Sequence, residues 1–205
     1  MSSFVKSVVF DLDGVLIDSR PCMDISWAMV RAKYSLKQSF DEYVSNIGIP
    51  FLDILKAIGV DHNTSNIKDD YFKYTQENCD LIKPYDGSKE IFSLLKNKGI
   101  STGIITSKEK INTLSICSRF GFSPDEIITP DDVKKGKPCL DSGTEYLSRT
   151  GFSEIDVLYV GDMEADYIFS KNVGFIFVYA NYGYGSISNS DCNTIDNLSD
   201  IVNFI

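Results

Sequence analysis

A repeated alternation of short apolar runs with helical patterns constrains the fold of this chain more than any other feature. The apolar runs are rich in β-branched residues and lack the polar alternation of a half-buried strand, which is typical of parallel strands covered on both faces. They lie at residues 7–10, 102–105, 127–129, 157–160 and 175–178. Helical patterns lie between them, at residues 88–98, 108–118, 140–149 and 165–172. The alternation predicts a doubly wound α/β core of three layers with a parallel sheet at its centre.

The stretch at residues 17–83 departs from this alternation, because it has helical patterns but no convincing strand. Its apolar side chains recur at helical spacing, which indicates amphipathic helices. We therefore predict a small all-α cap at residues 17–83, inserted after the first strand of a Rossmann-like core made of residues 1–16 and 84–205. The hinges are predicted at residues 16–19 and 83–87, where a proline and a glycine in the second segment interrupt regular structure.

The charge and the cysteine content exclude several classes of partner. A formal net charge of -9 would repel a polyanion, so we expect neither nucleic acid nor an anionic membrane surface as a partner. The five cysteines are scattered and show no C-x-x-C spacing, which argues against a disulfide framework or a zinc site. No apolar run is long enough to span a membrane, and residues 1–6 contain no apolar signal region. These features favour a cytoplasmic protein, and none of them indicates an oligomeric state.

Two carboxylates follow the first predicted strand. Asp11 and Asp13 are separated by one residue, so their side chains point the same way at the strand end. Ligands of open α/β sheets bind beyond the carboxyl ends of the strands. Two close carboxylates repel each other unless a cation lies between them, and aspartate oxygens suit Mg²⁺. The same residues also permit a plain polar turn at Asp13 and Gly14.

Polar residues stand after three further predicted strands. Thr106 and Ser107 offer hydroxyls at the start of a helix, where a phosphate group would find donors, or they only cap that helix. Lys137 could neutralise a phosphoryl group and the acids, or it belongs to a solvated basic loop. Asp162 and Asp166 fall one helical turn apart, as paired metal-site acids require, although they could equally complement a helix dipole.

In this order the four sites resemble the motifs of the haloacid dehalogenase superfamily, and in particular its phosphatases with a small helical cap, such as phosphoglycolate phosphatases. The resemblance spans essentially the whole chain. Its specific elements are the segment 10–16, Phe-Asp-Leu-Asp-Gly-Val-Leu, and Asp162 with Asp166. Thr106 and Lys137 are informative mainly because they occur in the expected order between these elements. Three positions depart from the family pattern without removing a chemical group: Leu140, Ser170 and Val173.

The resemblance implies a phosphatase that hydrolyses a small phosphorylated metabolite through an aspartyl-phosphate. Asp11 would be the nucleophile that attacks phosphorus. Asp13 would protonate the leaving alcohol and then accept a proton from the attacking water. Thr106, with Ser107 beside it, and Lys137 would hold the transferring phosphoryl oxygens.

The resemblance also implies a magnesium site. Its predicted members are Asp11, Asp162, Asp166 and Asp13, the last through its main-chain carbonyl oxygen. Asp166 would orient Lys137 or a metal-bound water more readily than it would bind the ion directly. The cap would close over the substrate and exclude bulk water.

Residues near the predicted hinge and after the last predicted strand are less informative. Asp18, with Ser19, is predicted to contact the substrate at the mouth of the cap, although a polar helix start explains both residues as well. Tyr182 and Tyr184 could line the edge of the site or simply cover the end of the sheet.

Other activities of related proteins remain open alternatives. Asp13 argues against dehalogenases and phosphonate-cleaving relatives, which do not retain that acid. Sugar-phosphate mutases usually carry a histidine in the segment that is 21–24 here, whereas the one histidine of this chain is His62, in a predicted surface loop. The same core could also hydrolyse pyrophosphate. A regulatory protein that accepts a phosphoryl group or binds a ligand without turnover is the alternative of a different class.

Overall fold

The structure is a computed structural model that describes residues 5–188 and 191–205. Residues 1–4, which belong to the predicted core and to the segment predicted to hold no signal region, lie outside the described residues. Within the described part, the strands are β1 (Ser7–Phe10), β2 (Ile17–Asp18), β3 (Lys83–Pro84), β4 (Ser101–Ile105), β5 (Glu126–Ile128), β6 (Val157–Gly161), β7 (Ile176–Ala180) and β8 (Asn193–Ile195).

Six of these strands form one parallel sheet in the order β5-β4-β1-β6-β7-β8. The described helices are α1 (Arg20–Tyr34), α2 (Phe40–Val44), α3 (Phe51–Ala57), α4 (Thr64–Glu77), α5 (Glu90–Asn97), α6 (Lys110–Phe120), α7 (Asp141–Thr150) and α8 (Glu164–Val173). A 3₁₀ segment, Leu198–Phe204, follows β8. The strand order reverses direction from β1, which confirms the predicted doubly wound α/β core.

Both faces of the sheet are covered, as the uninterrupted apolar runs predict. Val8 and Phe10 of β1 pack into a cluster with residues of α5 and α6. Val9, between them, points to the opposite face and packs with Tyr146 of α7 and Phe169 of α8. Every residue of β1 is buried, which explains why its apolar run is not interrupted by exposed polar positions.

The helical insertion, residues 17–83, contains α1 to α4 and has its own apolar cluster. Trp27 stacks on Tyr43 with ring centroids 4.7 Å apart, and Phe51 stacks on Tyr71 at 4.6 Å. Among the described residues, Met163 is the one buried member of this cluster from outside the insertion. Ile17, Cys22 and Ile82, near the two ends of the insertion, pack instead into the cluster of the core. The role of the insertion as a separate cap stays a prediction.

A two-stranded antiparallel ribbon stands where the hinges were predicted. Ile17 of β2 pairs with Pro84 of β3, and Asp18 pairs with Lys83. The sequence did not predict these strands, because two residues are too few to show a period. The ribbon brings the two ends of the insertion side by side.

The sheet strands begin and end within one or two residues of the predicted bounds, but β8 was missed. It is a three-residue edge strand, and two of its residues are exposed, so it lacks the apolar signature of the central strands. Within the described residues, no helix combines the length and the apolar character that membrane crossing requires. All five cysteines are free thiols.

Candidate active site

The polar residues singled out in the sequence follow strands that end at one edge of the sheet. Asp11 directly follows β1, Thr106 directly follows β4 and Asp162 directly follows β6. These strands are parallel neighbours, with β1 between the other two, so their carboxyl ends lie side by side. Lys137 reaches the same place from the loop after β5, and it is only 2% exposed. The structure thus brings the nucleophile, hydroxyl, lysine and acid candidates together.

Lys137 lies between two carboxylates. Its Nζ atom is 2.9 Å from Asp11 Oδ1 and 2.6 Å from Asp166 Oδ1. The hydroxyl of Tyr159 lies 2.9 Å from the same Nζ and 3.1 Å from Asp166 Oδ1. Burial alone would lower the pKa of Lys137, but the charges of Asp11 and Asp166 raise it above its ordinary range. The lysine is therefore held as a buried cation.

Asp166 is committed to its neighbours through both oxygens. Oδ1 accepts from Lys137 and lies beside the Tyr159 hydroxyl, while Oδ2 accepts from the main-chain N–H groups of Asp162 (3.2 Å) and Met163 (3.1 Å). The carboxylate sits in the first turn of α8, where the helix dipole favours a negative charge. Asp166 thus fixes the lysine and the turn that carries Asp162.

Two oxygens in this cluster are buried without a hydrogen-bond donor: Asp11 Oδ1 and Asp162 Oδ1. Lys137 approaches Asp11 Oδ1 as a charge, outside hydrogen-bond geometry. Burial raises the pKa of Asp11 to about 7, with Lys137 opposing the rise and Asp166 adding to it. Burial, Asp166 and Asp11 also raise the pKa of Asp162 well above its ordinary range. Lys137 alone therefore does not offset the negative charges of Asp11 and Asp162.

The acid cluster fits a hard divalent cation. One carboxylate oxygen each from Asp11, Asp162 and Asp166 lies within 4.8 Å of the others. An all-oxygen donor set suits such an ion, and the unpartnered oxygens supply free lone pairs. The carboxylate of Asp13 is not part of this cluster and points elsewhere.

The carboxylate of Asp13 is held from two sides. Its Oδ1 accepts a short hydrogen bond from the Ser19 hydroxyl, and its Oδ2 lies 3.1 Å from Nζ of Lys108. The sequence did not single out Lys108, although its place directly after Thr106 and Ser107, at a strand end, was a usable signal. Asp13 is thus oriented separately from Asp11.

Glycine is required where two loops approach Asp162. Gly14 has φ +86°, and a Cβ atom at this position would lie 2.1 Å from Asp162 Oδ2. A Cβ atom at Gly183 would lie 2.3 Å from Asp162 Cβ. Any side chain at either position would push the loops away from the acid cluster.

Tyr184 links the acid cluster to the ribbon at the start of the insertion. Its main-chain N–H donates to Asp162 Oδ2 (2.7 Å). Its hydroxyl accepts from the N–H groups of Ser19 (2.5 Å) and Arg20 (3.1 Å) and lies 3.1 Å from Asp18 Oδ1. Asp18 contacts this tyrosine and does not line the cavity above Asp11, and its contact with a substrate stays a prediction. Tyr184 caps α1 from the core, which the sequence of the loop could not reveal.

A cavity of about 60 Å³, or about 500 Å³ when the space open to solvent is counted, lies above Asp11 and Asp13, between the core and the insertion. Its core side is lined by Asp11, Asp13, Thr106, Ser107 and Lys108. The other side is the insertion wall: Met23, Tyr43, Ile47, Gly48, Ile49, Phe51, Ile54, Tyr71 and Phe72. The hydroxyl of Ser107, a predicted substrate ligand, donates to the carbonyl oxygen of Gly48 (2.7 Å).

Comparison with known proteins agrees with this arrangement. Residues 8–180 match the model of the family described as haloacid dehalogenase-like hydrolase. The N-acetylmuramic acid 6-phosphate phosphatase of Pseudomonas aeruginosa is 25% identical over 188 residues, covering 88% of this chain and 83% of that protein. The pyrophosphatase PpaX of Halalkalibacterium halodurans is 26% identical over 174 residues, covering 83% of this chain and 80% of that protein.

The fold agrees with solved structures as well. A crystal structure of a predicted phosphoglycolate phosphatase from Haemophilus somnus superposes with a TM-score of 0.87 at 24% sequence identity. The match covers 100% of this chain and 99% of the other. Because the family model covers well over half of the chain, including the segments that carry Asp11, Thr106, Lys137 and Asp162, this chain belongs to the haloacid dehalogenase-like hydrolase family.

Proposed function

We propose that this chain is a magnesium-dependent phosphatase that hydrolyses a small phosphoric monoester through an aspartyl-phosphate on Asp11. The observation that carries the proposal is the pairing of Asp11, at the floor of the cavity, with the buried Lys137 cation 2.9 Å away. The relatives named as phosphatases support the reaction type.

Magnesium is the proposed ion because the available donors are carboxylate oxygens. Asp11 and Asp162 would hold it through the two oxygens that lack a hydrogen-bond donor, together with the main-chain carbonyl of Asp13. Asp166 would act indirectly, since both of its oxygens are already used. When bound, the ion would offset the negative charge of the carboxylates and of the phosphoryl group.

In the first step the Asp11 carboxylate attacks phosphorus while the bond from phosphorus to the alcohol oxygen breaks. Protonated Asp13 gives its proton to that oxygen, so a neutral alcohol leaves. Lys137 and the Thr106 hydroxyl stabilise the charge on the transferring phosphoryl oxygens. Lys137 also favours the anionic form of Asp11, which the attack requires.

In the second step a water molecule attacks phosphorus in the aspartyl-phosphate. Asp13, now a carboxylate, takes a proton from that water, and Asp11 leaves as a carboxylate. This alternation of acid and base requires that Asp13 keep one orientation throughout. The Ser19 hydroxyl and the Lys108 ammonium hold that orientation, and the Tyr184 hydroxyl holds the N–H group of Ser19.

The insertion at residues 17–83 is proposed to act as the cap. Its aromatic wall lies over Asp11 and Asp13, and both of its ends meet in the ribbon of β2 and β3. Movement about that ribbon would admit the substrate and then exclude water. A cytoplasmic location, a small-molecule partner and the absence of nucleic-acid or membrane partners stay predictions.

The relative from Halalkalibacterium halodurans is named as a pyrophosphatase, so pyrophosphate hydrolysis is the alternative to the proposed hydrolysis of a monoester. Mutase chemistry is less favoured. The one histidine, His62, has a largely exposed side chain beside Asp61 at 3.4 Å and does not line the cavity.

Phosphate release tests the proposal. The native protein and Asp11→Asn are assayed with Mg²⁺ on a panel of phosphoric monoesters that includes a generic aryl phosphate. We expect turnover by the native protein, loss of turnover in chelator, and a loss of at least about a thousandfold in Asp11→Asn because the nucleophile is removed. Equal inactivity of both proteins on every ester would contradict the proposal and favour the regulatory alternative.

A further inference from the structure

We propose that the alcohol released by this enzyme has a mainly apolar or aromatic carbon skeleton, and that sugar phosphates and pyrophosphate are poor substrates. The inference rests on the proposed function, because it concerns the group that leaves when Asp11 is phosphorylated. It is carried by the chemistry of the insertion wall, which the leaving group must face.

No side chain of the insertion wall is charged. Apart from Gly48, the wall consists of aliphatic and aromatic side chains, and Tyr43 and Tyr71 supply its only side-chain hydroxyls. The Tyr43 hydroxyl donates to the Tyr71 hydroxyl at 2.8 Å. The side chains of this wall therefore offer a single hydroxyl proton, that of Tyr71, to a bound molecule.

The aromatic part of the wall is held by ring packing. Phe51 stacks on Tyr71 at 4.6 Å, and its ring centroid lies 5.5 Å from Phe72 and 6.2 Å from Tyr43. Such a surface favours apolar and aromatic groups.

Ser107 and Lys108, on the core side of the cavity, each already have one partner. The Ser107 hydroxyl donates to the carbonyl oxygen of Gly48, and the Lys108 ammonium lies 3.1 Å from Asp13 Oδ2. In the proposed reaction Asp11 and Thr106 act on the phosphoryl group rather than on the alcohol. The donors that remain, on Tyr71 and Lys108, are fewer than a sugar requires, so a sugar would bury some hydroxyls without partners. Each such group should lower kcat/KM roughly tenfold.

Matched pairs of substrates test the inference on the native protein with Mg²⁺. Cyclohexylmethyl phosphate and glucose 6-phosphate have a similar ring and a primary alcohol leaving group, but differ in ring hydroxyls. Ethyl phosphate and 2-phosphoglycolate differ in a carboxylate, and pyrophosphate replaces the alcohol by a second phosphate. We expect kcat/KM to be at least about a hundredfold higher for cyclohexylmethyl phosphate than for glucose 6-phosphate, and higher for ethyl phosphate than for 2-phosphoglycolate.

The outcomes separate this inference from the proposed function. A preference for glucose 6-phosphate, pyrophosphate or 2-phosphoglycolate would overturn the inference while leaving the chemistry at Asp11 in place. A preference for 2-phosphoglycolate would also assign Lys108 to the substrate. Inactivity on every ester, including a generic aryl phosphate, would overturn the proposed function and this inference with it.

A pair of variants tests the wall itself. Met23 lines the cavity and is 6% exposed, whereas Met29 lies on the same helix, is 37% exposed and does not line the cavity. Met23→Gln places an amide in the wall with little change in volume. We expect the preference for cyclohexylmethyl phosphate over glucose 6-phosphate to fall about tenfold in Met23→Gln and to stay unchanged in Met29→Gln. Unchanged selectivity in a Met23→Gln protein that unfolds at the native temperature would contradict the inference.

Discussion

Asp11, Asp162 and Asp166 lie together with one buried cation, Lys137, so the charges at the centre of the site do not balance without a further cation. Asp11 shows this imbalance most directly, because burial raises its pKa to about 7. A carboxyl with a raised pKa holds a proton in the folded protein at a pH at which the unfolded chain has released it. The metal-free protein should therefore lose stability as the pH rises from about 4 to about 7.

Asp11→Asn tests this charge imbalance, because asparagine cannot titrate. In chelator at pH 8 we expect the free energy of unfolding of Asp11→Asn to exceed that of the native protein by up to about 4 kcal/mol. The difference should shrink towards zero as the pH falls below about 3, where Asp11 is protonated in both folded and unfolded chains. Urea unfolding across this pH range measures it. A native protein that is the more stable one at pH 8 would contradict the account.

At the scale of elements, the loop after β7 connects the acid cluster to the start of α1. Tyr184 reaches Asp162 through its main chain and Ser19 through its hydroxyl, while Ser19 in turn holds Asp13. The neighbouring Tyr182 donates to the carbonyl oxygen of Val15 (3.0 Å) and does not contact Ser19. The two tyrosines therefore bind the same part of the chain with different consequences for Asp13.

Tyr184→Phe should impair proton donation more than binding. General acid catalysis matters most for alkyl phosphates, whose leaving groups are basic, and least for aryl phosphates. Since such catalysis is worth ~10²- to 10⁴-fold, we expect kcat to fall at least about tenfold for ethyl phosphate and to change little for an aryl phosphate. Steady-state kinetics on the two esters measures this, with KM reported separately. Tyr182→Phe is the control, and any loss of kcat in this variant should be equal for both esters. An equal loss of kcat for both esters in Tyr184→Phe would show that Tyr184 has only a structural role.

The strands that the sequence predicts most directly are those whose burial is complete. β1 and β6 are buried along their whole length, so their apolar runs identify them without knowledge of their neighbours. β8 and the ribbon of β2 and β3 are short, and their pairing depends on residues far away in the chain, as with Asp18 and Lys83. Local pattern carries no information about such pairing.

The same distinction holds for the site. Asp11 and Asp162 follow buried strands, so the strand ends predicted where they lie. The contact of Tyr184 with Ser19 joins residues 165 positions apart and depends on how a loop crosses the ribbon. Ser107 was predicted to bind substrate from its place after β4, but its hydroxyl donates to the insertion because α2 and α3 bring Gly48 next to it. The catalytic roles assigned to these residues stay predictions until they are measured.

At the scale of the whole molecule, the insertion and the core have largely separate apolar clusters. The single tryptophan, Trp27, is fully buried in the insertion cluster, so its fluorescence reports that cluster alone. We expect the insertion to unfold before the core. A difference of about 1 kcal/mol between them would separate the midpoints by roughly 0.5 M urea when Trp27 fluorescence is compared with far-ultraviolet circular dichroism. Coincident midpoints would show that the protein unfolds as one unit.

The proposed reaction passes through a covalent bond between phosphorus and Asp11. The most direct measurement is acid quenching of the native protein during turnover, followed by borohydride reduction and peptide mass spectrometry, because borohydride converts an aspartyl-phosphate to homoserine. We predict homoserine at residue 11 in the native protein with Mg²⁺ and a substrate, and none in Asp11→Asn. Phosphate release without modification of residue 11, or with modification of another carboxylate, would contradict the account.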